Sequence, residues 1–306
     1  MNRIIIILIC INYSNIIYTQ TPFPGNILEN NTAFEELGKA VAIAGDVNGD
    51  GYDDVIVGGE NNKAYVYHGS ESGILPTPNV VIYGEPGSIY FGLKVASAGD
   101  VNGDGYDDVF ISDSWFASDH GYEGKIYIYH GSATGINPIP VITIEGNHSS
   151  AHYGFSIAKA GDVNNDGYDD IIVGAKHLTA GHYLEGRAFI YHGSISGIIS
   201  VAATTVESNQ DYGFLGTSVA GAGDVNNDGF DDIIVGATGY DNGQADEGRA
   251  FVYHGSVSGI INVAVTTMEA NQALAGFGNS VSGIGDVNND GSVSYTHLTL
   301  PTSDLV

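Results

Sequence analysis

Basic side chains are scarce in this 306-residue chain: nine Lys and Arg stand against 36 Asp and Glu, for a net charge of −27. Phosphate backbones are bound by basic faces, so a nucleic-acid partner is excluded. Cysteine is nearly absent. The single one, Cys10, lies in an apolar N-terminal stretch, which leaves no disulfide within the chain to brace the fold. Ile9 before it is too bulky for the usual lipoprotein signal. The one long apolar run, IIIILICI at 4–11, is too short to span a bilayer comfortably. With Arg3 ahead of it, it predicts a secretory signal peptide over 1–19, followed by an N-terminal segment over 20–33, and no membrane span after cleavage. A sustained 3.6-residue apolar period is also missing, which excludes helical bundles and α/β architectures.

What the chain does contain is one segment written several times. It reads GDVNGDGYDDVIVG at 45–58, GDVNGDGYDDVFIS at 99–112, GDVNNDGYDDIIVG at 161–174 and GDVNNDGFDDIIVG at 223–236, and a fifth copy begins GDVNNDG at 285. The first Asp of each copy is Asp46, Asp100, Asp162, Asp224 and Asp286, at spacings of 54, 62, 62 and 62 residues. A fixed period of this length means one supersecondary unit stacked repeatedly.

Oxygen-bearing groups fall at loop positions 1, 3, 5, 7 and 9. They are Asp46, Asn48, Asp50, Tyr52 and Asp54; then Asp100, Asn102, Asp104, Tyr106 and Asp108. The third and fourth loops give Asp162, Asn164, Asp166, Tyr168 and Asp170, and Asp224, Asn226, Asp228, Phe230 and Asp232. Position 7 offers its backbone carbonyl, leaving its ring free to pack elsewhere. Position 6 is always Gly, where a sharp turn with positive φ carries no steric cost. Three carboxylates, an amide oxygen and a carbonyl suit a hard cation. Ca²⁺ accepts such irregular all-oxygen shells, whereas Mg²⁺ demands stricter octahedra and keeps its waters. The fifth loop supplies Asp286, Asn288 and Asp290 but has Ser294 at position 9, so four good Ca²⁺ sites and one incomplete one are expected. Asp53, Asp107, Asp169 and Asp231 at position 8 are surplus to this shell and read as solvated or strand-capping residues. An EF-hand is excluded, because position 12 is Val57, Ile111, Val173 or Val235 in a β-branched run, not a bidentate Glu.

Eight residues before each loop stands a Gly (Gly38, Gly92, Gly154, Gly216, Gly278), preceded by Leu37, Phe91, Tyr153, Leu215 or Phe277. A short alternating run leads into the loop. After it come an apolar run, a Gly-rich turn, a strand ending in Tyr-His-Gly-Ser, and a fourth extended stretch such as VITIEG at 141–146. Four short strands in about 60 residues match one propeller blade. The order Phe-Gly, cation loop, Val-Gly-Ala, Tyr-x-Tyr-x-Gly resembles the FG-GAP repeat of integrin α-subunit β-propellers and related secreted proteins. It departs from that pattern where Pro is expected, with Glu60, Ser114, Lys176 and Thr238 instead, and in the ISDSW of 111–115.

The resemblance implies an all-β fold: a β-propeller of four-stranded FG-GAP blades over 34–291, four units complete and a fifth begun, forming part of a seven-bladed ring. Expected blades are 34–90, 91–152, 153–214, 215–276 and the incomplete 277–291. The last residues, 292–306, break the repeat in mid-motif and read as a tail foreign to it. A signal peptide, strong acidity and loops of modest affinity together place the protein outside the cell or at its surface, where Ca²⁺ is plentiful. Sequons stand at Asn30 and Asn147, and no Arg-Gly-Asp occurs.

Four of the ten histidines, His68, His130, His192 and His254, recur once per unit and read as structural, since an active site needs one constellation and not four. His148, His152, His177 and His182 do not recur; with Tyr153 and Tyr183 they leave open an extracellular enzyme acting on polysaccharide or another polymer. No nucleophile elbow, zinc-ligand spacing or phosphate loop is present, and no catalytic residue is assigned. The leading expectation is an adhesion or ligand-binding module with an extracellular protein or glycan partner. Its contact candidates are Trp115, Phe116, Tyr122, Tyr183 and Tyr240, on the longer connections 112–124, 176–186 and 238–248. Packing between neighbouring blades is the competing reading of these aromatics.

Overall fold

A computed structural model describes residues 37–59, 61–118 and 121–284. The signal segment, the fifth cation loop and the tail lie outside the described residues. Sixteen strands form four antiparallel sheets, each a simple meander in chain order. The first sheet holds β1 (Leu37–Gly45), β2 (Asp54–Gly59), β3 (Lys63–Tyr67) and β4 (Val80–Tyr83). The second holds β5 (Lys94–Gly99), β6 (Asp108–Asp113), β7 (Lys125–Tyr129) and β8 (Ile142–Glu145). The third holds β9 (Ser156–Gly161), β10 (Asp170–Ala175), β11 (Arg187–Tyr191) and β12 (Thr204–Glu207). The fourth holds β13 (Leu215–Gly223), β14 (Asp232–Ala237), β15 (Arg249–Tyr253) and β16 (Thr266–Glu269).

The sheets stand side by side as blades of a partial β-propeller, with first strands facing one another along the row: β1 on β5, β5 on β9, β9 on β13. The second strand of every blade is buried along its whole length. Side chains alternate between the two faces of a strand, and here both faces are packed, so Val55–Val57 or Ile171–Val173 must be apolar at every step.

The core therefore lies between blades. In the seam of blades one and two, small aliphatics of one face (Ile56, Ala64, Val66) meet larger residues of the next (Phe91, Ile111, Tyr127, Tyr129). The same pairing recurs between blades two and three and between three and four. The Phe-Gly position is part of this seal, with Phe91, Tyr153 and Leu215 buried. Each buried side chain of that size contributes about 1.5–3 kcal/mol.

A meander puts alternate connections at opposite ends. The cation loops join the first and second strands at one end. The long second-to-third connections and the blade-to-blade crossings share the other, where they bond to each other (Ser150 N to Gly121 O, 2.9 Å; Tyr212 N to Tyr183 O, 2.7 Å).

Candidate metal loops and the opposite rim

Each cation loop is closed at its base by a strand pair, Gly45 opposite Asp54 and Gly99, Gly161 and Gly223 opposite Asp108, Asp170 and Asp232. The first Asp folds back into the loop. Asp46 Oδ1 accepts from the N–H of Gly49 (2.7 Å) and Asp50 (3.0 Å), and its Oδ2 accepts from Gly51 N (2.8 Å). Gly at position 6 takes the left-handed conformation expected of it, with φ of 91° at Gly167. Asn48 Oδ1 accepts from Asp50 N and its amide donates to Asp50 Oδ2; Asp50 Oδ1 accepts from Tyr52 N. The other three loops repeat the bonds from the N–H of positions 5, 6 and 7 and the Asn–Asp pair.

Position 9 is set differently. Asp108 is fully buried, with Oδ2 accepting from Val101 N (3.0 Å) and Oδ1 from Gly131 N (2.8 Å). Asp54, Asp170 and Asp232 hold the equivalent pair of backbone donors. Burial pushes the Asp108 carboxyl up to about 8 and that of Asp170 to about 7; the neighbouring Asp104 and Asp100, or Asp166 and Asp162, add to the rise. Asp54 and Asp232 are raised by the same burial.

Among the described residues no three His, Cys, Asp or Glu side chains are drawn together as a finished metal shell. The donor set nevertheless fits a hard cation. Asp108 and Asp170 are each buried beside two further carboxylates, Asp54 beside Asp50 and Asp232 beside Asp228, and among the described residues no Lys or Arg pairs with any of the four. Two backbone donors leave each of them lone pairs to spare, and a bound cation would offset the mutual repulsion. Asp286, Asn288 and Asp290 of the fifth loop lie outside the described residues.

Position 8 requires a correction. Asp53 is exposed, but its counterparts are neither solvated nor capping their own strands. Asp107 Oδ2 accepts from Asp46 N (2.8 Å), Asp169 Oδ2 from Asp100 N (2.9 Å) and Asp231 Oδ2 from Asp162 N (2.9 Å). Each carboxylate thus belongs to one blade and grips the loop of the blade before. The ring at position 7 does the same: Tyr106 lies over Gly49 and Tyr168 over Gly103, within 3 Å of where a Cβ would stand.

The opposite rim gathers the non-recurring aromatics. Trp115 touches Tyr90 (5.7 Å between ring centroids), Tyr122 (5.6 Å) and His152 (4.3 Å). His152 meets His177 (4.9 Å), which meets Phe214 (5.7 Å); Phe214, Tyr212 and Tyr183 continue the row. Trp115, Tyr122, Tyr183 and Tyr212 are 40–54% exposed. Tyr240 and Phe116 are instead held within their own blades: Tyr240 packs on Phe251 and under Arg249, and Phe116 lies beneath Lys125.

Of the histidines singled out for possible proton transfer, only His152 and His177 come into contact with each other. His148 is exposed, His182 pairs with Asp211 (3.3 Å), and Tyr153 is buried with its hydroxyl donating to Tyr191 (2.7 Å). Burial, then the Lys176 charge and His152, hold His177 down to about 4. His152 is lowered by burial and by Lys176.

Three buried carboxylates escaped the sequence reading. Glu123, Glu185 and Glu247 are fully buried inside the long connections. Glu185 accepts from the N–H of Ala180, Gly181 and His182; Glu123 from Ser118 N and the Ser118 hydroxyl; Glu247 from Asn242 N. Their signal is a Glu-Gly-Lys/Arg triplet at the 62-residue period.

Comparison with known proteins agrees with this architecture. A model of the FG-GAP-like repeat matches residues 46–111 and 100–173, and one of the FG-GAP repeat matches 215–253. Integrin alpha-5 of Xenopus laevis is 32% identical over 237 residues, which is 72% of this chain and 22% of the relative. Integrin alpha-V of Gallus gallus is 32% identical over 226 residues, 68% and 21% of the two chains. Human integrin alpha-6 is 32% identical over 161 residues, 52% and 14%. The aligned part of the chain thus spans about a fifth of the length of the first two relatives. With its four meander blades, loops and matching repeats, the chain belongs to the FG-GAP repeat family and is similar to integrin α-subunits.

Proposed function

We propose that this chain is a calcium-binding propeller segment, secreted or displayed at the cell surface, that serves adhesion by binding an extracellular protein or glycan. The observation that carries the reading is the segregation of two features: four carboxylate loops of one donor pattern at one end, a row of exposed aromatics at the other. Asp46, Asn48, Asp50 and Asp54, with the Tyr52 carbonyl, would hold one Ca²⁺, and their counterparts three more. The ion would brace each loop in a fold that has no disulfide to do so. Aromatic faces at the far rim offer contact area to a protein and stacking surfaces to sugar rings. No catalytic role is assigned to His152 and His177, which serve as members of that row.

Trp115 is the only tryptophan of the chain and stands in the row, so its emission reports on events at that rim. Calcium is to be titrated by calorimetry, and a panel of extracellular matrix proteins and polysaccharides by Trp115 fluorescence. Four binding events for Ca²⁺, and at least one panel member that shifts the emission but not in Trp115→Ala/Tyr183→Ala controls read by surface binding, are expected. Absence of calcium heat overturns the first part, and a silent panel overturns the second.

A further inference from the structure

The glycine that opens each of the first three cation loops serves more than its own loop. Gly99 has φ of 75°, and a Cβ on it would stand 2.1 Å from Asp169 Oδ2, in the next blade. At Gly45 and Gly161 the same collision would come at 2.2 Å with Asp107 Oδ2 and 2.0 Å with Asp231 Oδ2. The space is kept open for a carboxylate that lies 61–69 residues beyond the loop's first Asp. That carboxylate accepts the N–H of the loop's first Asp. The backbone N–H of the same position-8 residue donates to the first Asp's carbonyl, Asp169 N to Asp100 O at 3.1 Å, with Asp107 and Asp231 alike. A third bond, Ser194 N to Val101 O (3.0 Å), fixes position 2 in the same manner. The main chain on both sides of Asp100 is therefore held by blade three, while its side chain turns into the loop of blade two.

We propose that Asp107, Asp169 and Asp231 are positioning residues for the cation site of the preceding blade, so that each site is completed by its neighbour and the sites form a directional series. The inference rests on the calcium reading above. A carboxylate that accepted bonds only within its own blade would set only its own loop. Here the anion's charge-assisted bond ends on the peptide group of the neighbour's first ligand. Lys159 reinforces one member, with its ammonium 2.7 Å from Asp169 Oδ2.

Calorimetric Ca²⁺ titration of the full chain tests this. Asp104→Ala is expected to remove one site. Asp169→Ala should leave three sites unchanged and weaken one about tenfold, the order of a single charge-assisted bond. Combining Asp104→Ala with Asp169→Ala should leave three normal sites, because the weakened site was the one already removed. Combining Asp166→Ala with Asp169→Ala should leave two normal sites and one weak one. Asp169→Asn should recover most of the lost affinity, since its amide oxygen can still accept from Asp100 N. If Asp169→Ala fails to fold, Asp107→Ala with Asp50→Ala gives the same comparison one blade earlier. Four sites weakened together, a weakened site in the Asp162 loop, or no change would each overturn the proposal. A wild-type chain that takes up no Ca²⁺ overturns the calcium reading instead, and the two failures are thereby distinct.

Discussion

His130 of the second blade reaches Gly197 of the third so closely that a Cβ on that glycine would sit 2.6 Å from its Nε2. His68 with Gly135, and His192 with Gly259, repeat the contact in the other two seams. The Nε2 atoms of all three histidines are buried, so the recurring Tyr-His-Gly-Ser triplet and the Ser/Thr-Gly-Ile turn are two halves of one seam, written in adjacent blades. Gly197→Ala should therefore destabilise the fold by about 2–5 kcal/mol, the sum of a left-handed backbone and an overpacked contact. Gly87→Ala is the control: φ there is 99° but nothing lies within 4 Å of the new methyl. It should cost only about 1–2 kcal/mol. Equal denaturant midpoints for the two variants would refute the seam contact.

Positions 5 and 9 of a cation loop should separate under chelation. In excess EGTA, Asp104→Asn loses an exposed like charge and keeps an acceptor for Tyr106 N, so stability should change by less than about 0.5 kcal/mol. Asp108→Asn turns an amide N–H₂ toward Val101 N or Gly131 N and strands a buried backbone donor. About 2–3 kcal/mol should be lost even without metal. Chemical denaturation of both variants in EGTA checks this, and parity between them would mean that position 9 is a ligand and nothing more.

Much of this was legible in the sequence because the unit is short and repeated. A 62-residue period, a β-branched run such as Ile171–Val173 and turn glycines specify strands locally, and four-strand meanders follow from their order. What periodicity hides is ownership. When Asp169 recurs at the same offset as Asp107, nothing in the pattern says whether it serves its own loop or the neighbour's, because both choices have the same period. The same ambiguity concealed the partner of His130. Glu185 was missed for another reason: a carboxylate in a connection reads as solvated until the backbone N–H groups curled around it are seen. Among the connection aromatics, Tyr240 and Trp115 look equivalent in sequence. Phe251 and Arg249 capture Tyr240, while Trp115 finds Tyr122 in its own connection and Tyr90 and His152 outside it.

Metal removal should soften the whole arc. A cation that binds only folded loops raises the melting temperature by mass action, so EGTA should lower it and added Ca²⁺ restore it. At free Ca²⁺ a hundredfold above the dissociation constant, each site contributes about 2.7 kcal/mol. Asp166→Ala should remove one site's share of that increment, visible as a smaller calcium-induced rise in differential scanning calorimetry. An identical melt with and without chelator contradicts the assignment of these loops to calcium.

The aromatic rim should carry its own pH dependence. His177 is held down to about 4, first by burial and then by Lys176 and His152, against an ordinary histidine value of 6.5. In the unfolded chain it takes up its proton as the pH falls through 6.5; in the folded chain it resists until near 4. Unfolding therefore binds a proton throughout that interval, and stability present at pH 7 drains away as the pH drops from about 6.5 toward 4. Partial exposure screens the effect, leaving about 1 kcal/mol between pH 7 and pH 5. His177→Phe keeps an edge-on ring against Phe214 and His152 but has no proton to gain, so its loss of stability over the same range should be smaller by that amount. The two proteins are to be compared by urea denaturation at pH 7 and pH 5 in saturating Ca²⁺, which keeps the carboxylate loops in common. If both lose stability equally, His177 does not titrate in the buried row and the contact with His152 is not maintained in solution.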